Sequence, residues 1–229
     1  MSKIKKIVVV LCSIILVGNF SDFVCFASTS TPELNSEVEG FNDTQFEKLV
    51  EIVVYLNENI GNEQKVFDVL QDISSNNDDK NRSIFGDIGS IWNALTDSEK
   101  KLLIRYPFDA LKVNTAKNIA TTQTEIKFGR NGLGDRSDAF RHGIWNAEMT
   151  ILIGGEKAEL FATAHEDKDT TGVESDGYSK TEHKNMDLHN NEVGRILGSE
   201  NPSSSEDEMA DIIYNNINQE DTRFIWLHE

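Results

Sequence analysis

The sequence predicts an all-α protein, and three observations lead to that class. Apolar residues recur at helical spacing in several segments, capping motifs precede several of these segments, and neither alternating strand patterns nor internal repeats occur. A chain of 229 residues can bury one good core. We predict a compact helical domain around a central buried helix at about 136–153, preceded by a short N-terminal helical segment.

The first 27 residues have the pattern of a secretory signal peptide. Lys3, Lys5 and Lys6 precede the apolar run IVVVLCSIILVG, and a small-residue cleavage signal ends at Ala27. The apolar run is too short to favour a membrane span. We therefore expect cleavage near Ala27/Ser28 and a secreted protein, extracellular or associated with the cell wall, without stable membrane insertion.

The composition excludes several classes of function. Loss of the leader would remove three lysines and one aspartate, so the net charge would change from −17 to −19. Such a charge repels phosphate backbones, and no lysine or arginine cluster offers a basic channel, so nucleic acid is not an expected partner. Cys12 and Cys25 both lie in the leader, which excludes disulfides and thiolate chemistry from the mature chain.

The remaining chain divides into two predicted parts, 28–83 and 84–229. The first part is a polar lead-in followed by N-terminal helices, and the second is the helical domain that carries the site. In the first part, Phe46, Val50 and Val53 predict a helix over 44–59, a second short helix covers 63–74, and 76–83 is a loop.

Capping signals mark the helices of the second part. Thr96 and Glu99 form a capping box, Pro107 suits the first turn of a helix that ends before Gly129, and Ser137 is the expected cap of the central helix. Further helices are predicted at about 156–166, over MDLHNNEVGRIL and at 206–218. A loop covers 167–183, and TRFIWL is expected to form a short terminal strand or an apolar tail.

The central helix is apolar on most of its surface, and polar residues lie within that apolar surface. Asp138 and His142 share a stripe with Trp145 and Met149, while Arg141 and Glu148 mark the edge expected to face solvent. We therefore expect Asp138 and His142 to be buried.

Four of the five histidines fall between positions 142 and 189. By helical spacing, His165 faces inward with Glu166 beside it, and His189 and Asn190 face inward with Asp187 at the edge of the same face. Three helices would thus each bring one histidine and one carboxylate to a shared buried site. His183 lies in the predicted loop, and a solvent-exposed position and a functional role are both open for it. No role is assigned to His228.

Four segments carry a family resemblance: LTDSEKKLLIRYPFDALKV, GDRSDAFRHGIWNAEMT, FATAHE and MDLHNNEVGR. Together they resemble a family of bacterial exported or toxin-associated domains of unknown function. The resemblance covers about residues 94–197 and implies a site without naming a reaction. The residues that match the family pattern are Asp138, Arg141, His142, Trp145, Asn146, His165, Glu166, Asp187, His189, Asn190 and Asn191.

The first hypothesis is a hydrolase that uses zinc or another divalent metal on ester or phosphodiester substrates. His142, His165 and His189 would be the metal ligands, because three neutral imidazoles with one open position make a catalytic site. Glu166 or Asp187 would act as general base, and Asn190 or Arg141 would stabilise developing negative charge. The substrate is open among small molecules, lipids and cell-wall fragments.

Two alternatives stay open. In metal-free acid–base hydrolysis, Asp138 would orient His142, which would activate water. In a non-catalytic exported binding module, or a toxin-like domain, the polar core would only fix the fold. An EF-hand-like start at Asp167 is not assigned as a calcium site, because Tyr178 stands where the motif needs a bidentate glutamate.

Overall fold

The computed structural model describes residues 40–75 and 82–229, without the side chains of 82–87. The predicted leader and most of the predicted loop over 76–83 lie outside the described residues. Within them the chain is all-α, as predicted, and β-pairing is limited to one bridge between Val173 and Ser179. The helices are α1 (Asp43–Ile60), α2 (Glu63–Ser75), α3 (Arg82–Ala94), α4 (Asp97–Arg105), α5 (Pro107–Phe128), α6 (Arg136–Ile153), α7 (Gly155–His165), α8 (Lys180–Glu200) and α9 (Glu206–Ile217).

Most helix ends follow from local chemistry that the sequence already displays. The Thr96–Glu99 capping box opens α4, Pro107 occupies the first turn of α5, and Gly129 ends α5 in the left-handed conformation at φ 69°. The cap of α6 is Asp135, and Ser137 lies inside the helix, so the prediction at Ser137 was wrong. The Asp135 carboxylate accepts hydrogen bonds from two backbone amides, those of Ser137 and Asp138.

Two elements differ from the sequence expectation. Helix α3 was not predicted. Helix α8 begins at Lys180, inside the predicted loop, because Ser179 and Glu182 form a capping box that opens it earlier. His183 therefore lies on α8, and its side chain is buried rather than part of a loop.

Helix α6 is the centre of the domain, and every residue from Ser137 to Thr150 is buried. Helices α5, α7, α8 and α9 pack around it. The expected solvent edge was wrong, because Arg141 and Glu148 are 7% and 4% exposed. Neighbours cover α6 on all sides, so no face remains for solvent.

Helices α6 and α8 are in backbone contact. A Cβ atom placed on Gly194 would lie 2.2 Å from the carbonyl oxygen of Gly143, and one on Gly198 would lie 2.6 Å from that of Ala147. Only glycine fits at such distances. The two helices therefore approach closely enough for short side chains on both to meet.

The C-terminal residues form a tail without a strand. The backbone amide of Leu227 donates to the carbonyl of Gly134, two residues before the start of α6. The tail thus closes over the start of the central helix. Among the described helices, none has the length and apolar character needed to cross a membrane.

Candidate metal and catalytic site

Asp138 and His142 stand one turn apart on the same face of α6, as the sequence predicts. They are 1% and 5% exposed. The Asp138 carboxylate accepts a 2.7 Å hydrogen bond from the backbone amide of Gly134 and forms a buried ion pair with Arg141. These two partners satisfy the buried carboxylate and hold Asp138 in place.

Asp187 and Asn191 reach the same point from α8, again one turn apart. Asp187 Oδ1 lies 3.3 Å from His142 Nε2, and Asp138 Oδ1 lies 3.5 Å from it. One ligand atom each from Asp138, His142 and Asp187 falls within a group no wider than 4.8 Å, which is a spacing that a metal ion can bridge. We call these three residues the central cluster.

A relay of hydrogen bonds fixes which nitrogen of His142 carries the proton. Arg195 can only donate, and it donates to Asn146 Oδ1 at 3.1 Å. The amide nitrogen of Asn146 then donates to Asn191 Oδ1 at 2.6 Å. The same Asn191 oxygen lies 3.2 Å from His142 Nδ1, so Nδ1 is the donor. The Nε2 lone pair of His142 consequently faces the carboxylates of Asp138 and Asp187.

Glu166 completes the acidic surroundings of His142. It ends α7, it is buried, and its Oε1 lies 4.0 Å from His142 Nδ1. Glu166 Oε1 and Asp187 Oδ1 are both buried without a hydrogen-bond partner in the described part of the chain. Unpartnered buried oxygens are rare in proteins, so these two atoms are the candidate contacts for an ion or a water molecule.

The surroundings of the cluster shift the pKa values of Asp187 and His142 in opposite directions. Burial, and then the negative charges of Asp138 and Glu166, raise the pKa of Asp187 well above its usual range. Burial, and then the charge of Arg141, lower the pKa of His142 well below its usual range. A proton or a cation between Asp187 and His142 would relieve the repulsion that contributes to the raised pKa of Asp187.

His165 has a different partner from the predicted one. Its Nδ1 lies 2.8 Å from Glu99 Oε1, and its Nε2 lies 3.4 Å from Lys168 Nζ. Burial acts to raise the pKa of Glu99, but the attraction of His165 and hydrogen bonds from His165 and Thr96 outweigh it and lower that pKa to about 2. Burial lowers the pKa of His165 despite Glu99. His165 thus donates Nδ1–H to an ionised Glu99, and its Nε2 lone pair faces the ammonium group of Lys168.

Two residues of the predicted site lie elsewhere. His189 is exposed on α8, and its Nε2 donates to the carbonyl of Arg223 at 2.7 Å, so the expectation that it faces inward was wrong. Asn190 is buried but binds the backbone of Ile225 in the tail through both ends of its amide. Two positions along a helix differ by about 200°, so His189 lies nearly opposite Asp187.

A cleft of about 390 Å³ leads down to the cluster. Its buried lining includes His165, Glu166 and His183, and the mostly buried Asp187 lies beside them. Lysines line its more exposed part. The cleft is large enough for a small molecule and gives it access to Asp187 and Glu166.

Sequence reasoning missed three contributors to this site. Glu99 was interpreted only as part of a capping box, yet its second oxygen binds His165 across 66 residues of sequence. The orienting roles of Asn191 and Arg195 were also missed. The two residues lie one turn apart on α8, which was the available signal, but their shared partner Asn146 is set by the packing of α8 on α6.

Comparison with known proteins gives one match. A family model described as a domain of unknown function (DUF6973) matches residues 100–221, more than half of the chain. The match includes every residue of the central cluster, and it agrees with the resemblance to a domain of unknown function. No curated protein and no solved structure matches the chain.

Proposed function

The chain belongs to the DUF6973 family, and from the geometry of its central cluster we propose that it is a metal-dependent hydrolase. Asp138, His142 and Asp187 would hold the ion. The observation that carries the proposal is the lone pair of His142 Nε2, which faces two carboxylate oxygens at 3.3 and 3.5 Å with its tautomer fixed from behind. A histidine whose other nitrogen donates to a fixed acceptor is typical of a metal ligand.

The charges around the cluster support a divalent ion. Asp138, Glu166 and Asp187 contribute three negative charges when ionised, and Arg141 contributes one positive charge. A divalent cation would neutralise the remaining two, and it would satisfy the unpartnered oxygen of Asp187. One imidazole nitrogen with two carboxylate oxygens suits zinc or manganese.

The surrounding residues support hydrolysis of an ester or phosphodiester. A divalent ion in such a site lowers the pKa of water and polarises the bond to be cleaved. Glu166, with its unpartnered Oε1, is the residue that we assign to accept the proton of the attacking water. The proton that Glu166 takes from water can then pass to the leaving group, and His165, oriented by Glu99, presents its Nε2 lone pair as a second proton acceptor. Arg141 is assigned to hold Asp138 rather than to contact substrate.

The proposal includes export. The predicted leader over residues 1–27 would send the enzyme out of the cell, and the −19 charge of the remaining chain favours small substrates over polymeric nucleic acid. A bacterial origin stays a prediction from the sequence resemblance.

Elemental analysis of the purified protein tests the metal. We expect near-stoichiometric zinc or manganese in the unaltered chain, loss of the metal in His142→Ala, and retention in His189→Ala. His189→Ala is the matched control, because it removes the same side chain from an exposed position of the same domain. Circular dichroism of both variants separates loss of metal from loss of fold.

The other outcomes discriminate between the hypotheses. Absence of metal from the unaltered chain, even after supplementation, would contradict the metal site. Hydrolysis that persists without metal but is lost in His142→Ala would then support acid–base chemistry by His142 and Asp138. Absence of both metal and hydrolysis would support a non-catalytic exported module.

A further inference from the structure

The cleft above the central cluster has a basic rim in an otherwise acidic protein. Lys168 follows α7, and Lys180 and Lys184 lie at the start of α8; all three line the cleft. The chain has 39 acidic and 22 basic residues. In the exposed part of the lining these three lysines stand beside two acidic side chains, Asp169 and Glu174, so basic residues outnumber acidic ones there, unlike in the whole chain.

The lysines on α8 oppose the stability of their own helix. Lys180 is the first residue of α8, where the helix dipole disfavours a cation. Lys184 stands four residues later on the same face, and like charges at that spacing repel each other. Ser179 and Glu182 already satisfy the helix end through their capping box. Helix formation does not explain Lys184, whereas an anion in the cleft would.

The acidic side chains of the rim are already engaged. Glu174 Oε1 lies 4.0 Å from Lys180 Nζ, and the Asp169 carboxylate accepts two hydrogen bonds from Thr171. Lys184 has no ion pair within the described residues. Its positive charge is consequently available to a group that enters the cleft.

A buried polar atom below the rim supports a ligand at this place. His183 lines the cleft, is 5% exposed, and is held by Asp176 at 3.0 Å from its Nε2. Its Nδ1 is buried and has no hydrogen-bond partner among the described residues. Because Nε2–H is donated to Asp176, Nδ1 can accept, and a hydroxyl of a bound molecule or a water beside it would satisfy this nitrogen.

We propose that the cleft takes a compact phosphate ester, whose phosphoryl oxygens lie between Lys168, Lys180 and Lys184 and the central cluster. This inference rests on the proposed hydrolase and names its substrate class. The cleft volume of about 390 Å³ admits a small ester or a headgroup. The net charge of −17 repels long polyanions, which separates this substrate class from nucleic acids.

Inorganic phosphate is the direct probe, titrated into the full-length protein and followed by calorimetry. We expect Lys184→Gln to weaken phosphate binding by roughly tenfold, since a charge-assisted contact is lost. Lys101→Gln is the matched control, an exposed lysine on α4 outside the cleft, and should bind like the unaltered protein. Equal phosphate affinity in Lys184→Gln and the unaltered protein, or no phosphate binding at all, would overturn the inference.

The source of the phosphate ester is distinguished by competition. Displacement of phosphate by soluble glycerol phosphate would support a free ester, and displacement only by phosphatidylglycerol vesicles would support a lipid headgroup. Cleavage of neutral carboxyl esters at the metal site, unaffected by Lys184→Gln, would overturn the inference and keep the hydrolase. Phosphate binding that depends on Lys184 in a protein without metal or hydrolysis would keep the anion site and contradict the proposed hydrolase.

Discussion

The interior beneath the front helices and the interior around α6 are built from different side chains. Helix α1 buries Leu49, Val53 and Leu56 completely, and the buried polar residues described in α1 to α4 are Ser74 and Lys100. Helix α6 buries aspartate, arginine, histidine, asparagine and glutamate along one element. In α1 to α4, burial of apolar side chains stabilises the fold, whereas burial of the charged side chains of α6 costs desolvation free energy. Proteins keep such charges inside where they serve a site.

We expect Asp187→Asn to disrupt the central cluster while the protein stays folded. We expect metal affinity and any hydrolysis to fall by more than about 100-fold, because a ligand matters more than the outer residues that cost 10- to 100-fold. With metal removed from both proteins by a chelator, the melting temperature should stay or rise, since the change removes a buried carboxylate that Asp138 and Glu166 repel. Metal content, and thermal unfolding of the same preparation after chelation, give both results. A large fall in the melting temperature would contradict the distinction between the two interiors.

Leu56→Ala should give the opposite pattern in the front part. Leu56 is fully buried in α1, so the cavity should lower the free energy of unfolding by about 3 kcal/mol. Metal affinity should not change below the melting transition, because α1 contributes no residue to the central cluster. Denaturant unfolding with a metal titration tests both points, and a coupled loss of metal would show that the front helices support the site.

Asn191→Leu should weaken the site by a smaller step than the loss of Asp187. The change removes the oxygen that accepts from His142 Nδ1, so the imidazole is free to rotate or change tautomer. We expect metal affinity to fall 10- to 100-fold. Asn201→Leu, at a half-buried position near the end of α8, is the control and should keep the affinity. Unchanged metal affinity in Asn191→Leu would contradict the relay.

Glu148→Gln should change how the free energy of unfolding depends on pH, an effect that does not involve the central cluster. Burial, and then the charge of Glu206, raise the pKa of Glu148 from 4.5 to about 7. The unfolded chain therefore loses this proton first as pH rises, and stability should decrease between about pH 4.5 and 7 and then level off. The glutamine variant should be more stable at pH 8 by up to about 2 kcal/mol, with a flatter profile. Denaturant unfolding at pH 5 and pH 8 measures the difference, and an unchanged profile would contradict it.

The fold was more accessible to sequence reasoning than the site. Capping boxes, Pro107 and Gly129 are local signals, so the helices that they bound were predicted within a few residues. Helical spacing also placed Asp138, His142 and His165 in the interior, in agreement with the structure. It misplaced His189 by treating Asp187, His189 and Asn190 as one face, although neighbouring positions turn by about 100°.

The remaining errors concern contacts between helices. The pairing of Glu99 with His165 and the relay from Arg195 to His142 depend on how α4, α6, α7 and α8 pack, and no periodicity within one helix contains that information. The burial of Arg141 and Glu148 has the same origin. An edge that looks polar on one helix is covered when neighbours surround that helix on every side.

The backbone contact between α6 and α8 has a consequence for how the site can vary among related chains. The separation of Asp138 and Asp187 is set by main-chain atoms at Gly194 and Gly198, and not by side chains that a neighbour could replace. Even alanine at position 194 would force the helices apart and widen the distance between the two carboxylates. A substitution elsewhere in the core can be compensated by changes in neighbouring side chains. The distance between Asp138 and Asp187 changes only when the backbone contact between α6 and α8 itself changes.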